Sequence, residues 1–287
     1  MARKIKMSVG VLNIALHPHS PELYAKFLRT IFDNRVVAKL SGDRYGMISL
    51  LDEREKDSGR VSGIVTTFVQ IEADGDWFDT KSLNTATADQ VSQINIPPNL
   101  KANSATYYFE FDLKKHRLYY QNYSKGRWIT AASAARLFSG FADDITVFLE
   151  VGSPKISIVQ ETEALDRILS LPKLTEIKIT LLRPNPDILD DDFEDKIEAN
   201  LAASHSRSLT LIYNAEPGQS LVATEEIRRA GTAAIEIGKV EVKGRDETGA
   251  VQKSTEQFPL VKQTTYDPDA TTERNAFFAL LRNMFLG

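Results

Sequence analysis

Apolar residues run from Ile5 to Leu16 with the density of a buried strand. Ser20-Pro21-Glu22 then offers a hydroxyl cap, a proline suited to the first helical position and an acid in the first turn. Leu23, Phe27, Leu28 and Ile31 recur at helical spacing to about Asp33, so the chain opens β–α. Two extended stretches follow, 43–53 and 60–72, separated by the charged turn Arg54-Glu55-Lys56-Asp57-Ser58-Gly59. Residues 79–95, rich in Thr, Asn and Gln, read as a long connection closed by Pro97-Pro98. An aromatic hairpin spans Tyr107 to Trp128, a helix runs from Ala131 to Phe141, and 145–151 with 155–160 predict a second hairpin across Gly152-Ser153-Pro154.

After residue 155 the pattern changes to alternating strands and helices. Leu165, Ile168, Leu169 and Leu171 form the apolar side of a short helix that Pro172 stops, and 177–182 alternates as a strand. A helix over 191–203 begins in acids, which suits the positive end of its dipole. A strand at 208–213, a helix at 224–232 and a hairpin of 235–245 with 251–263 follow; Thr271 caps a last helix carrying Phe277, Phe278, Leu281, Met284 and Phe285. The expected fold is α+β, a hairpin-rich antiparallel sheet lobe over 1–154 followed by a strand-helix-strand lobe over 155–287. These are two domains or two intimately packed lobes.

The aromatic hairpin is the densest chemistry in the chain. Eight aromatic and six basic or histidine side chains fall between Tyr107 and Trp128. Period-two alternation puts Tyr107, Phe109, Phe111 and Leu113 on one face of its first arm and Tyr108, Glu110 and Asp112 on the other. One face packs on a core; Tyr108 and Tyr119 are then expected to meet water beside Lys114, Lys115, Arg117, Lys125 and Arg127. Flat rings next to cations stack on bases while the cations meet phosphate, which points to Tyr108, Lys114, Lys115, Arg117, Tyr119 and Arg127 as nucleic-acid contacts.

Bulk charge argues against a protein that coats nucleic acid, because 35 basic residues stand against 39 acidic ones. The acidic excess is local, concentrated in Asp187-Ile188-Leu189-Asp190-Asp191-Asp192-Phe193-Glu194-Asp195. The absence of cysteine excludes a disulfide scaffold, a thiol nucleophile and thiolate zinc sites, and fits a reducing cytoplasm. No apolar run is long enough to cross a bilayer, and the N-terminal apolar stretch lacks a cleavage site for export. A cytoplasmic protein with no membrane partner is expected.

Candidate catalytic chemistry is sparse. His17 and His19, two apart on extended backbone, point to opposite sides and make an awkward metal pair. Asp191 and Asp192 open a third reading, a Mg²⁺-dependent nuclease, but consecutive acids at a helix start fan outward. There is no P-loop, dinucleotide fingerprint, nucleophile elbow or metalloprotease motif, so no cofactor and no enzymatic activity are expected. Lys239, Lys243 and Arg245 share a strand face with Glu241, a second basic group after Arg228-Arg229. The apolar last helix is either deeply buried or joins another subunit. It therefore carries two further expectations, a homodimer and an adaptor or inhibitor whose partner is encoded nearby.

The opening Ile5-Lys6-Met7-Ser8-Val9-Gly10-Val11-Leu12-Asn13-Ile14, with His17-Pro18-His19-Ser20-Pro21, resembles an uncharacterised bacterial family carried on chromosomes, plasmids and prophages, over most of the chain. In layout alone the chain is similar to the DNA-binding phage-exclusion protein of phage lambda and to DNA-binding antiphage effectors. Those place an α/β lobe before a strand-helix-strand lobe, here 174–182 and 191–203. That resemblance implies weak, sequence-independent DNA binding and a role in antiphage defence or a mobile-element function.

Overall fold

A computed structural model describes residues 4–183 and 192–284, an α+β architecture of two larger antiparallel sheets with helices packed on them. The first sheet is built on β1 (Ile5–Ala15), which is buried along nearly its whole length. One edge of β1 pairs with β8 (Arg117–Ser124); the other pairs with β15 (Val261–Tyr266) along its first half and β10 (Lys155–Ile158) along its second. Beyond β8 the sheet continues through β7 (Ala102–Asp112), β4 (Arg60–Val69), β3 (Arg44–Asp52) and β2 (Ala38–Ser41), while β9 (Arg127–Trp128) folds back on β8. The expected 79–95 connection, with Phe78 just before it, holds only the two-residue pair β5 (Phe78–Asp79) and β6 (Asn84–Thr85) and the short helix α2 (Ala88–Ser92).

Helices α1 (Pro21–Asp33), α3 (Ala131–Ala142) and α4 (Ile145–Val151) cover one face of this sheet. Ser20 Oγ accepts the Leu23 N–H at 3.2 Å, so α1 starts where its hydroxyl predicts, and Thr130 Oγ1 caps α3 in the same way by accepting the Ser133 N–H at 3.1 Å. Phe109, Phe111 and Leu118 bury against Phe27, Leu28 and Phe138, each contributing roughly 2–3 kcal/mol of apolar burial. Helix α4 corrects the second hairpin expected across Gly152. Asp144 caps it by accepting the Thr146 N–H at 2.9 Å, Val147 and Val151 point inward one turn apart, and Gly152 ends it at φ 82°.

The second sheet runs β12 (Ser208–Asn214), β11 (Lys173–Leu182), β13 (Gly238–Asp246), β14 (Gly249–Ser254). Its core packs α5 (Ala164–Leu169) and α7 (Glu225–Ile237), with α6 (Asp192–Ala203) beside β12. The strand expected from 235 starts only at Gly238, because the alanine-rich α7 continues to Ile237. A Cβ at Gly238 would lie 1.9 Å from the Thr180 carbonyl oxygen, so the helix-to-strand corner admits glycine alone. The arm expected over 251–263 also breaks. Ser254 Oγ accepts the Glu256 N–H at 3.3 Å to start a tight turn, and the chain then leaves for the first sheet as β15.

The two sheets therefore do not divide at residue 154. β10, β15 and the last helix, α8 (Glu273–Met284), all belong to the first sheet, and backbone bonds such as Gln160 N–H to the Ile235 carbonyl (3.2 Å) tie the lobes together. Thr272, one residue later than expected, caps α8 by accepting the Asn275 N–H at 3.2 Å. Ala276, Phe277, Leu280 and Leu281 bury on Met7, Val9, Val11 and Tyr119, so the sheet is sandwiched between α1, α3 and α4 on one side and α8 on the other.

Candidate functional site

Helix α8 decides the fate of the aromatic hairpin. Tyr119 is only 3% exposed beneath it, and burial pushes the phenol up to about 12, which keeps it neutral. Tyr108 is half-buried against the Phe277 ring, centroids 6.0 Å apart. Of the expected water-facing pair, Tyr119 is thus internal and Tyr108 half covered, because a helix from the far end of the chain lies over them. Arg117 Nη2 donates to Glu236 Oε2 at 2.6 Å, bridging the two lobes with a guanidinium that is itself largely buried.

Lys114 and Lys115 remain exposed at the β7–β8 turn, where Asp112 Oδ1 accepts both of their backbone N–H groups at 2.9 Å. Arg127 lies at the opposite end of β8, about 25 Å away at the extended rise of about 3.4 Å per residue. The six residues singled out in the sequence therefore do not form one surface.

A different constellation assembles around Arg127. Lys125 and Gly126 adopt φ 50° and 78°, the paired left-handed conformations of a two-residue hairpin turn, and this turn projects Arg127 and Trp128 from the sheet. Trp128 is 64% exposed on the rim of a cleft of about 560 Å³ lined also by Arg44, Arg127, Tyr107, Ser104 and Ser133. Arg127 Nη1 donates to the Ser104 carbonyl at 3.3 Å, and Arg44 Nη2 donates to Thr67 Oγ1 at 2.8 Å. Arg44 Nε is buried without a hydrogen-bond partner among the described residues. None of the described residues lining the cleft is acidic. Arg127 also lines a second, smaller cleft with Tyr108, Gln121, Lys125 and Glu273, where Lys125 Nζ sits 2.6 Å from Glu273 Oε2. Burial raises the Glu273 carboxyl, but hydrogen bonds from Lys125, Ser124 and Gln121 outweigh it and leave the group below its usual value.

The second basic group is largely compensated. On the open face of the second sheet, Lys243 lies 3.0 Å from Glu176, Lys178 lies 3.5 Å from Glu241, and Lys239 lies 3.4 Å from Glu241 and 3.6 Å from Glu256. Arg228 pairs with Asp166 at 2.7 Å, and Arg229 covers the Phe193 ring. The histidines diverge as their spacing requires: His17 Nε2 lies 3.5 Å from the Arg183 carbonyl, whereas His19 stands edge-on to His116, which stacks on Tyr24. Burial, chiefly, lowers the His17 pKa. Among the described residues no three His, Asp or Glu side chains are placed to hold a metal ion. Asp191 and the side chain of Asp192 lie outside what is described, and so does the nuclease reading built on them.

Sequence reasoning included Trp128 in the aromatic cluster without assigning it a contact, and missed Arg44 altogether. A tryptophan next to arginine after a Lys-Gly turn is a local signal for the first; nothing local announces the second. The fold and cleft define an α+β protein of two interleaved antiparallel sheets with an aromatic, cationic edge. The chain belongs to the DUF4747 family, a domain of unknown function, which matches residues 5–282. No curated protein matches it. No helix among the described residues is long and apolar enough to cross a membrane.

Proposed function

We propose that this protein binds single-stranded nucleic acid, weakly and without sequence preference, through the Trp128 cleft. The observation that carries the reading is an exposed indole flanked by two guanidiniums, Arg44 and Arg127, in a concavity without a carboxylate. A base stacked on Trp128 contributes about 1–3 kcal/mol whatever its identity, and a phosphate beside either arginine adds a salt-dependent term. The anionic molecule as a whole repels a polyanion, which keeps the affinity modest and confines it to this edge. Such binding fits the antiphage or mobile-element role implied by the layout resemblance. The adaptor reading through α8 has less support, since the helix's apolar stripe is already spent on β1 and β8.

Polarisation titrations with a labelled oligo-dT test the proposal. Trp128→Ala is expected to weaken binding about tenfold or more, and Arg44→Ala or Arg127→Ala to lower the slope of log K against log salt by about 0.7 each. The Lys114→Ala/Lys115→Ala pair should leave affinity nearly unchanged. Absence of binding at low salt, or wild-type affinity in Trp128→Ala, would remove the basis for this reading.

A further inference from the structure

A third cleft, of about 340 Å³, lies between α8 and the outer face of the first sheet, away from Trp128. Antiparallel register builds its floor: Asp52, Ser62, Glu110 and Tyr119 stand in one row across β3, β4, β7 and β8, with Arg60 two residues from Ser62 on the same face. Arg274, Phe278 and Arg282 of α8 supply the wall, one helical turn apart. Four guanidiniums, those of Arg54, Arg60, Arg274 and Arg282, thus face one concavity.

Their surroundings separate them into two pairs. Arg54 and Arg274 are both engaged by Asp52, Arg274 at 3.7 Å and also lying over the Phe278 ring at 5.0 Å. Arg60 and Arg282 make no ion pair with a described residue, and both lie near enough to Glu110 to stabilise its charge. Glu110 is 5% exposed, and its Oε1 is buried without a hydrogen-bond partner among the described residues. A buried acceptor lacking a donor, beside two uncommitted guanidiniums, calls for a ligand that brings both a hydrogen-bond donor and an anion. Glu110 and the acidic floor disfavour a bare polyanion, and the cleft's size lies within the range of small-molecule sites.

We propose that this cleft binds a ribose phosphate, free or as part of a nucleotide: Arg60 and Arg282 hold the phosphate, and Glu110 accepts a hydrogen bond from a sugar hydroxyl. Phe278 offers a ring at the rim, against which the base of a nucleotide can pack.

Calorimetric titration of the full chain with ribose 5-phosphate, AMP and inorganic phosphate tests it. Ribose 5-phosphate and AMP should bind at up to millimolar concentration, and Arg60→Ala and Arg282→Ala should each weaken them about tenfold. Glu110→Ala should weaken ribose 5-phosphate but not inorganic phosphate, with Glu110→Gln, which keeps an acceptor oxygen, restoring most of the loss. Tighter binding of AMP than of ribose 5-phosphate identifies the nucleotide as the ligand; equal binding identifies the sugar phosphate. No binding of either compound overturns the assignment, and so does binding that Arg282→Ala, an exposed helix substitution compatible with folding, fails to weaken. Trp128→Ala should leave these titrations unchanged, so this site and the oligonucleotide cleft fail or stand separately.

Discussion

Replacing Phe277 with alanine is expected to destabilise the protein by about 4 kcal/mol, the usual cost of emptying a phenylalanine-sized space in a packed core. Phe277 is fully buried; it packs among Met7, Val9, Val11 and Tyr119 and contacts the rings of Tyr108 and Phe278. The floor beneath it is a strand held by hydrogen bonds on both edges, so it cannot collapse into the void. The lid is an end helix with few other buried anchors, Ala276, Leu280 and Leu281. Urea unfolding measures the total loss, and native-state hydrogen exchange shows where it falls, with α8 amides expected to open first. Tyr119 supplies an independent reading. Its phenol is held at about 12 by burial under α8, so loosening the helix should bring its titration back toward the ordinary value near 10. A loss below about 1 kcal/mol would mean that the helix is not secured by this contact.

Features of the fold that local chemistry dictates were legible in the sequence. Ser20-Pro21 marks a helix start, and alternation along Tyr107–Leu113 assigns its two faces correctly. Helix α4 was not, because Ile145-Thr146-Val147 is β-branched and Gly152-Ser153-Pro154 resembles a hairpin turn; the Asp144 cap and inward packing of Val147 and Val151 override that preference. Long-range pairing is the larger gap. Nothing near residue 261 announces that this segment will leave its own lobe to pair with β1, nor that the following helix will cover Tyr119.

The candidate sites fail to be legible for the same reason. Trp128 and Arg127 are visible as neighbours, but Arg44 reaches them through sheet register, and the row Asp52–Ser62–Glu110–Tyr119 exists only once four strands are aligned. Charge was the most misleading signal. Lys239, Lys243 and Arg117 look like a cationic surface until Glu256, Glu176 and Glu236 arrive from other elements to pair with them.

Glu110 should give the stability of this protein an unusual dependence on pH. Burial pushes its carboxyl up to about 7, with Glu55 and Asp112 adding to the shift and Arg60 and Arg282 opposing it. Because the folded value lies above the unfolded one of 4.5, the native state keeps a proton that the unfolded chain releases between those two values. The protonated carboxyl carries no ionisation penalty at low pH, stability falls as pH rises from about 4.5 to 7, and above 7 the ionised form costs the fold on the order of 3 kcal/mol. Glu110→Gln removes the ionisation while keeping the shape, so it should match wild type near pH 4.5 and exceed it by roughly that amount at pH 8. Urea midpoints of both proteins across this range measure the difference. Nearby charges cancel from the comparison, since Asp52 already titrates at about 2 through its bond with Arg54, and His17, whose lowered pKa acts in the opposite direction, is present in both proteins. Parallel curves for the two proteins would show that Glu110 ionises freely in the folded state, with water or a counterion reaching it through the arginine cleft.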